Sequence, residues 1–315
     1  MIPIVTIGGG TGQYALLSGL KTIPDLEITA VVTMADSGGS SGVLRTERGA
    51  LPPGDILRCL LALAAADPDV LRLFGDRFPA GGWLGGHTLG NLAITTGCEQ
   101  NGGNLLAGLE TIAKLLKVRG RVLPVTLSCV ELCAERSDGS IVRGEHQIGT
   151  WDGVGDAPTI ARVWLEPNVE PLREVLEAIQ HAHAIVVGPG SLYTSIIPNV
   201  LVEGVAAALT ASRAKLMFVV NAMTEPGETD CFTAPDFVRE FERYAKRAVD
   251  AIIYNTQEPA PDIEARYQSE GARLVIPCAI PNISDNAFAG YAHGGQRLIP
   301  FPLLADGPLI RHDPI

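Results

Sequence analysis

Basic residues are scarce in this chain of 315 residues: 24 Lys and Arg stand against 35 Asp and Glu, a net charge of -11. A nucleic-acid backbone is held by a cationic surface, so this balance argues against DNA or RNA as a partner. The six cysteines, at 59, 98, 129, 133, 231 and 278, contain no Cys-x-x-Cys pair, and no His-x-x-x-His pair occurs. Neither a zinc site nor a secreted disulfide framework is indicated, and a reducing cytoplasm is the simplest reading. No uninterrupted apolar run reaches the ~18 residues of a membrane span, and no cationic segment precedes the first apolar run. A cytoplasmic protein with no membrane span is expected. Aromatic residues are only 5% of the chain, a thin supply for a stacked flavin platform.

What is present is 46% apolar residues, enough for a large core. Continuous β-rich runs at 28–34, 121–127, 184–187, 216–220 and 251–254 alternate with helical patterns at 55–66, 104–116, 171–182, 200–212 and 235–247. Continuous apolar strands are those covered by helices on both faces. The expected fold is therefore α/β, a doubly wound, mainly parallel Rossmann-like sheet in one domain over 1–315. Short strands and a turn at Ser137-Asp138-Gly139-Ser140 mark a small antiparallel β lobe at about 125–165. The Gly- and Pro-rich segments 78–90 and 280–308 read as an active-site loop and as irregular chain.

The most informative stretch is Ile4-Val5-Thr6-Ile7 followed by Gly8, Gly9, Gly10, Thr11 and Gly12, then Tyr14-Ala15-Leu16-Leu17. Strand, glycine loop and helix in that order cradle a phosphate, because glycine admits close approach and a helix start offers free N–H groups. A tight turn is the plainer alternative. The dinucleotide fingerprint fits badly, since Gln13 stands where Gly or Ala belongs. Strand 28–34 runs into Asp36, Ser37 and Gly38, placing an acid where parallel sheets bind ligands; Asp36 suits a ribose hydroxyl, a phosphate or a metal-bound phosphate, and a helix cap as well. Asp55, in Pro52-Pro53-Gly54-Asp55, reads as a helix cap, or as a residue that holds a cation or takes a proton. His87 and Asn91 lie at another helix start and read as structural or ligand-facing.

A second glycine loop follows Ile185-Val186-Val187: Gly188-Pro189-Gly190-Ser191. Two such loops on neighbouring strands would direct N–H groups at one ligand from both sides, as a pyrophosphate requires. Asn221 and the run Met223-Thr224-Glu225-Pro226-Gly227-Glu228-Thr229 extend the same rim.

The motifs at 8–12, 36–42, 52–56, 90–92, 188–199, 223–229 and 311–314 together resemble the gluconeogenesis-factor (YvcK-type) family of the CofD-like superfamily, in order along nearly the whole chain. The resemblance implies a cytoplasmic bacterial protein that binds UDP-N-acetylglucosamine or UDP-glucose and supports cell shape, envelope synthesis and gluconeogenic growth. No cofactor is required on that reading. The sister branch, 2-phospho-L-lactate transferase, moves a phospholactyl group from a nucleotide donor to a deazaflavin with magnesium. Carried over, Gly9, Gly10, Thr11, Gly12, Gly188, Gly190 and Ser191 would line the ligand cleft and Asn221 its rim; Ser37, Gly38, His87 and Asn91 are further candidate ligand-binding residues read from the sequence itself. Tyr267 and Arg311 would contact the UDP-sugar, the first by stacking on uracil and the second by clamping diphosphate. In a transferase Asp36 would coordinate magnesium and Asp55 would orient the acceptor hydroxyl. An NAD-dependent oxidoreductase is the third reading, weakened by Gln13. A homodimer and cell-envelope synthesis proteins are the expected partners.

Overall fold

The structure, a computed structural model, describes residues 1–38, 51–82, 84–150, 158–275 and 296–304. Its strands are β1 (Ile2–Gly8), β2 (Leu26–Val32), β3 (Arg121–Pro124), β4 (Glu131–Arg136), β5 (Ile141–Arg143), β6 (Ile160–Glu166), β7 (Ala184–Val187), β8 (Lys215–Val219), β9 (Ala251–Asn255) and β10 (Arg297–Phe301). Seven of them form one sheet in the order β3-β2-β1-β7-β8-β9-β10, every neighbouring pair parallel. The order reverses between β1 and β7, and the crevice beyond the carboxyl ends of those two strands is where such sheets bind ligands. Ile7 pairs with Val187, so the two glycine loops leave the sheet side by side.

The helices are α1 (Gly10–Leu20), α2 (Gly54–Leu63), α3 (Pro68–Gly75), α4 (Leu89–Gln100), α5 (Leu105–Leu115), α6 (Glu145–Ile148), α7 (Arg173–His181), α8 (Ile197–Leu201), α9 (Val205–Ala211), α10 (Ala234–Ala245) and α11 (Pro261–Ser269). Burial on both faces explains the uninterrupted apolar strands: from Ile4 to Gly8, β1 is buried at every position. Helix α10 shows how one face is chosen. A Thr233–Asp236 capping box starts it, and Phe237, Val238, Phe241 and Ala245 recur at helical spacing on the buried side, with Phe241 5.1 Å from Phe218 of β8. No single helix among the described residues is long and apolar enough to cross a membrane.

The β lobe is a separate antiparallel sheet, β5-β4-β6, closed at the expected turn where Arg136 N–H donates to the Ser140 carbonyl at 2.9 Å and Gly139 takes a φ of 82°. Two expectations need correction. The helix expected at 200–212 is two, α8 and α9, because Gly204 turns the chain at a φ of 83°. The segment 280–308, expected to be irregular, contains β10, whose Pro300 is tolerated on an edge strand where only one side is paired. Segment 78–90 folds on itself: Phe78 N–H donates to the His87 carbonyl at 2.8 Å and Gly86 N–H returns to Phe78 at 3.1 Å.

Candidate functional site

The first glycine loop is crowded by the protein itself. Gly9 precedes α1 and Gly10 begins it. A β-carbon on Gly9 would lie 2.7 Å from Ser195 Oγ, one on Gly10 2.5 Å from Asp55 Oδ1, and one on Gly12 1.9 Å from the Pro189 carbonyl oxygen. The glycines thus let α1, α2 and the second loop meet at contact distance. Gly10 N–H donates to Asp55, so this carboxylate caps α1 and not its own helix, which begins after Pro53 without a side-chain cap. Thr11 is exposed. Gln13 is fully buried: its amide donates to the Val31 carbonyl of β2 at 2.9 Å and accepts from Thr6 Oγ1 of β1. It ties helix to sheet where a dinucleotide fold would use a small residue for close approach.

The second loop is held from behind. Gly188, at a φ of 78°, leaves room for the Val219 carbonyl, 2.8 Å from where its β-carbon would stand. Gly190 N–H donates to Asn221 Oδ1 at 3.1 Å, and Ser191 accepts from Thr194 N–H at 3.3 Å to start a π-turn over Leu192–Ile196. Such turns recur at functional sites. Asn199 Nδ2 reaches across to the Gly8 carbonyl at 3.2 Å and welds the two loops together.

Five acids surround this junction. Asp36 Oδ1 accepts from Gly38 N–H at 2.9 Å, and Ser37 Oγ accepts from His146 N–H at 3.4 Å, which brings α6 of the β lobe against the Asp36 loop. Burial, then the charge of Asp36, raises the Asp55 carboxyl to about 7 against the pull of Arg58 and Gly10 N–H. Burial and Asp36 also raise Glu145. Glu225 and Glu228 are raised first by burial, and Ser191 Oγ donates to Glu228 Oε2 at 2.7 Å. Sequence reasoning named Glu225 and Glu228 only as part of the rim, and missed Glu145 and Arg58 as site residues. The two rim glutamates stood inside a motif already read, whereas Glu145 carries no local signal.

Among the described residues no three His, Cys, Asp or Glu side chains converge to hold a metal. Asp36 and Asp55 suit a magnesium ion shared with a ligand's phosphates, the usual way this ion is bound, better than a cage of protein ligands alone.

His87 and Asn91 are buried at the start of α4, where Thr88 caps Asn91 N–H at 3.0 Å and Gly90 presses on Leu57 of α2. Tyr267 lies half-buried on α11 with the Arg266 guanidinium 5.3 Å from its ring. That helix reaches the rim through the chain after it: Thr224 N–H donates to the Arg273 carbonyl at 2.7 Å and Val275 N–H to Ala222 at 2.9 Å. Arg311 lies outside the described residues.

Comparison with known proteins agrees with this architecture. A family model described as 2-phospho-L-lactate transferase CofD matches residues 4–279. The gluconeogenesis factor of Listeria innocua is 44% identical over 311 residues, 98% of this chain and 91% of that protein. That of Bacillus subtilis is 42% identical over 274 residues, 86% of this chain and 84% of its own. A crystal structure of a UPF0052 family member from Bacillus halodurans superposes with a TM-score of 0.90 at 38% identity, covering 100% of this chain and 97% of that one. With the switch-point crevice, both glycine loops and these matches along its length, the chain belongs to the CofD family, among the gluconeogenesis factors.

Proposed function

We infer that this protein binds a UDP-sugar, UDP-N-acetylglucosamine or UDP-glucose, as a cytoplasmic regulator of gluconeogenic growth, cell shape and envelope synthesis. A gluconeogenesis-related role accords with the names of its relatives. The observation that carries the ligand class is the junction of two glycine loops at the sheet's switch point, where Gly12 of the first lies against Pro189 and Gly190 of the second. Backbone N–H groups from two strand ends and a helix start suit a diphosphate. Free cysteines at 59, 98, 129, 133 and 231 accord with a reducing compartment.

A second reading has its own support. Asp55, raised to about 7, is poised to accept a proton near neutrality, and the family model carries the name of a transferase. On that reading magnesium, held at Asp36, would neutralise charge on the phosphates. Asp55 would orient the acceptor hydroxyl and take its proton.

A thermal-shift panel separates the two. A ligand at about 100 times its Kd adds about 2.7 kcal/mol to the folded state. Stabilisation by UDP-sugars and none by GDP with magnesium supports the regulator; the reverse response sinks it and directs attention to phospholactyl transfer.

A further inference from the structure

Behind the second glycine loop, two glutamates of one turn are drawn in from water, and one of them accepts from a loop hydroxyl. Ser191 Oγ donates to Glu228 Oε2 at 2.7 Å, and Glu228 N–H donates to the Glu225 carbonyl at 3.1 Å, so both side chains leave one turn. Ser191 Oγ also accepts from the Thr194 hydroxyl at 2.6 Å and from Thr194 N–H at 3.3 Å, so its position is set from both sides. Glu228 is 7% exposed, and Glu225 Oε2 is buried without a hydrogen-bond partner. The loop that carries them is itself fixed, with Glu225 N–H on Thr229 Oγ1 at 2.9 Å and Gly227 N–H on Asp230 Oδ2 at 2.7 Å.

Glu228 Oε2 therefore receives a hydroxyl proton, while Glu225 Oε2 receives none. The charges around them do not compensate two anions: Glu145 of α6 repels both groups, and Arg136 of β4 is the cation that faces Glu228. Two ionised carboxylates packed together out of water are costly, and retaining a proton on one of them removes most of that cost.

Resting on the nucleotide-sugar reading, we propose that Glu225 and Glu228 hold one proton between them and that Glu228 is a positioning residue for Ser191, keeping the second glycine loop in the shape that receives an anionic ligand. Loss of the proton places a further negative charge directly behind the loop, so a diphosphate binds more weakly as pH rises. Burial and mutual repulsion raise both groups above an ordinary glutamate. The folded chain then holds more protons than the unfolded one between the two values. This contribution is full below the unfolded value, about 4.3, and is lost as pH rises toward the folded one.

The test is ligand-free unfolding from about pH 5 to about pH 9 in wild type, Glu228→Gln and Glu225→Gln, followed by titration of UDP-N-acetylglucosamine at both ends of that range. Glutamine keeps the shape of the protonated carboxyl and can still accept from Ser191. Expected is a wild-type melting temperature that falls with pH and a shallower fall in either variant, by up to about one proton per molecule. Expected also is tighter binding by Glu228→Gln than by wild type at the alkaline end, with near-equal binding at the acid end. Equal pH slopes in all three proteins overturn the proposal. Different slopes without UDP-sugar binding in any of them uphold the shared proton and count against the ligand reading alone.

Discussion

Asp55 caps the helix that Gly10 begins: the Gly10 N–H donates to its carboxylate, and a β-carbon at Gly10 would stand 2.5 Å from Asp55 Oδ1. An acid placed at the positive end of α1 is favourable, yet burial and the neighbouring Asp36 charge outweigh that and raise it to about 7. The folded chain binds this proton more tightly than the unfolded one. Stability from this group is full below the unfolded value of about 4 and is lost as pH rises toward about 7, a change of up to about 4 kcal/mol. Asp55→Asn removes that dependence and is expected to be more stable than wild type at about pH 8, measured by chemical denaturation at several pH values.

Gly12→Ala drives a methyl group onto the Pro189 carbonyl, a backbone atom 1.9 Å away that cannot swing aside. The two loops must separate. Expected is a loss of about 3 kcal/mol in stability and loss of ligand binding, checked by thermal denaturation and by UDP-sugar titration.

Gln13→Leu fills the same space without an amide. The Val31 carbonyl loses its donor and the Thr6 hydroxyl its acceptor inside the core. A cost of about 2–4 kcal/mol is expected in denaturant unfolding, since each orphaned group costs about 1–3 kcal/mol. A change below about 0.5 kcal/mol, the scale of an ordinary surface substitution, would show that the amide does not tie α1 to the sheet.

Asn221→Ala removes the acceptor that holds Gly190 N–H at 3.1 Å. The expected cost is about 1 kcal/mol of stability and about a tenfold weaker UDP-sugar affinity, because the loop loses its fixed shape. Tyr267→Ala separates binding from folding at the other end of the rim: α11 buries no residue fully, so affinity should fall while the melting temperature moves little.

Much of this architecture was legible in the chain. The runs at Ile4 to Ile7 and Ile185 to Val187 are β-branched and apolar because both faces are covered, and each ends in glycine where the strand meets the crevice. Their adjacency, the feature on which the site depends, is set by the pairing of Ile7 with Val187, which the loops themselves do not encode. Less accessible was anything decided by distant chain. Asp55 looked like the cap of its own helix and caps another. Glu145 enters the site because the antiparallel lobe swings α6 against Ser37, a contact between residues 109 positions apart. Gly204 hid a break inside an apolar run, and Pro300 disguised an edge strand as irregular chain. Glycines read as room for a ligand proved to be room for Asp55, Ser195 and Pro189.

A crystal structure with UDP-N-acetylglucosamine bound is the most direct measurement. Expected is a diphosphate beyond the carboxyl ends of β1 and β7, over the rim where the first glycine loop meets the second at Gly12 and Pro189, with the uridine toward α11. A nucleotide bound anywhere else on the sheet, or an empty crevice at saturating ligand, would contradict it.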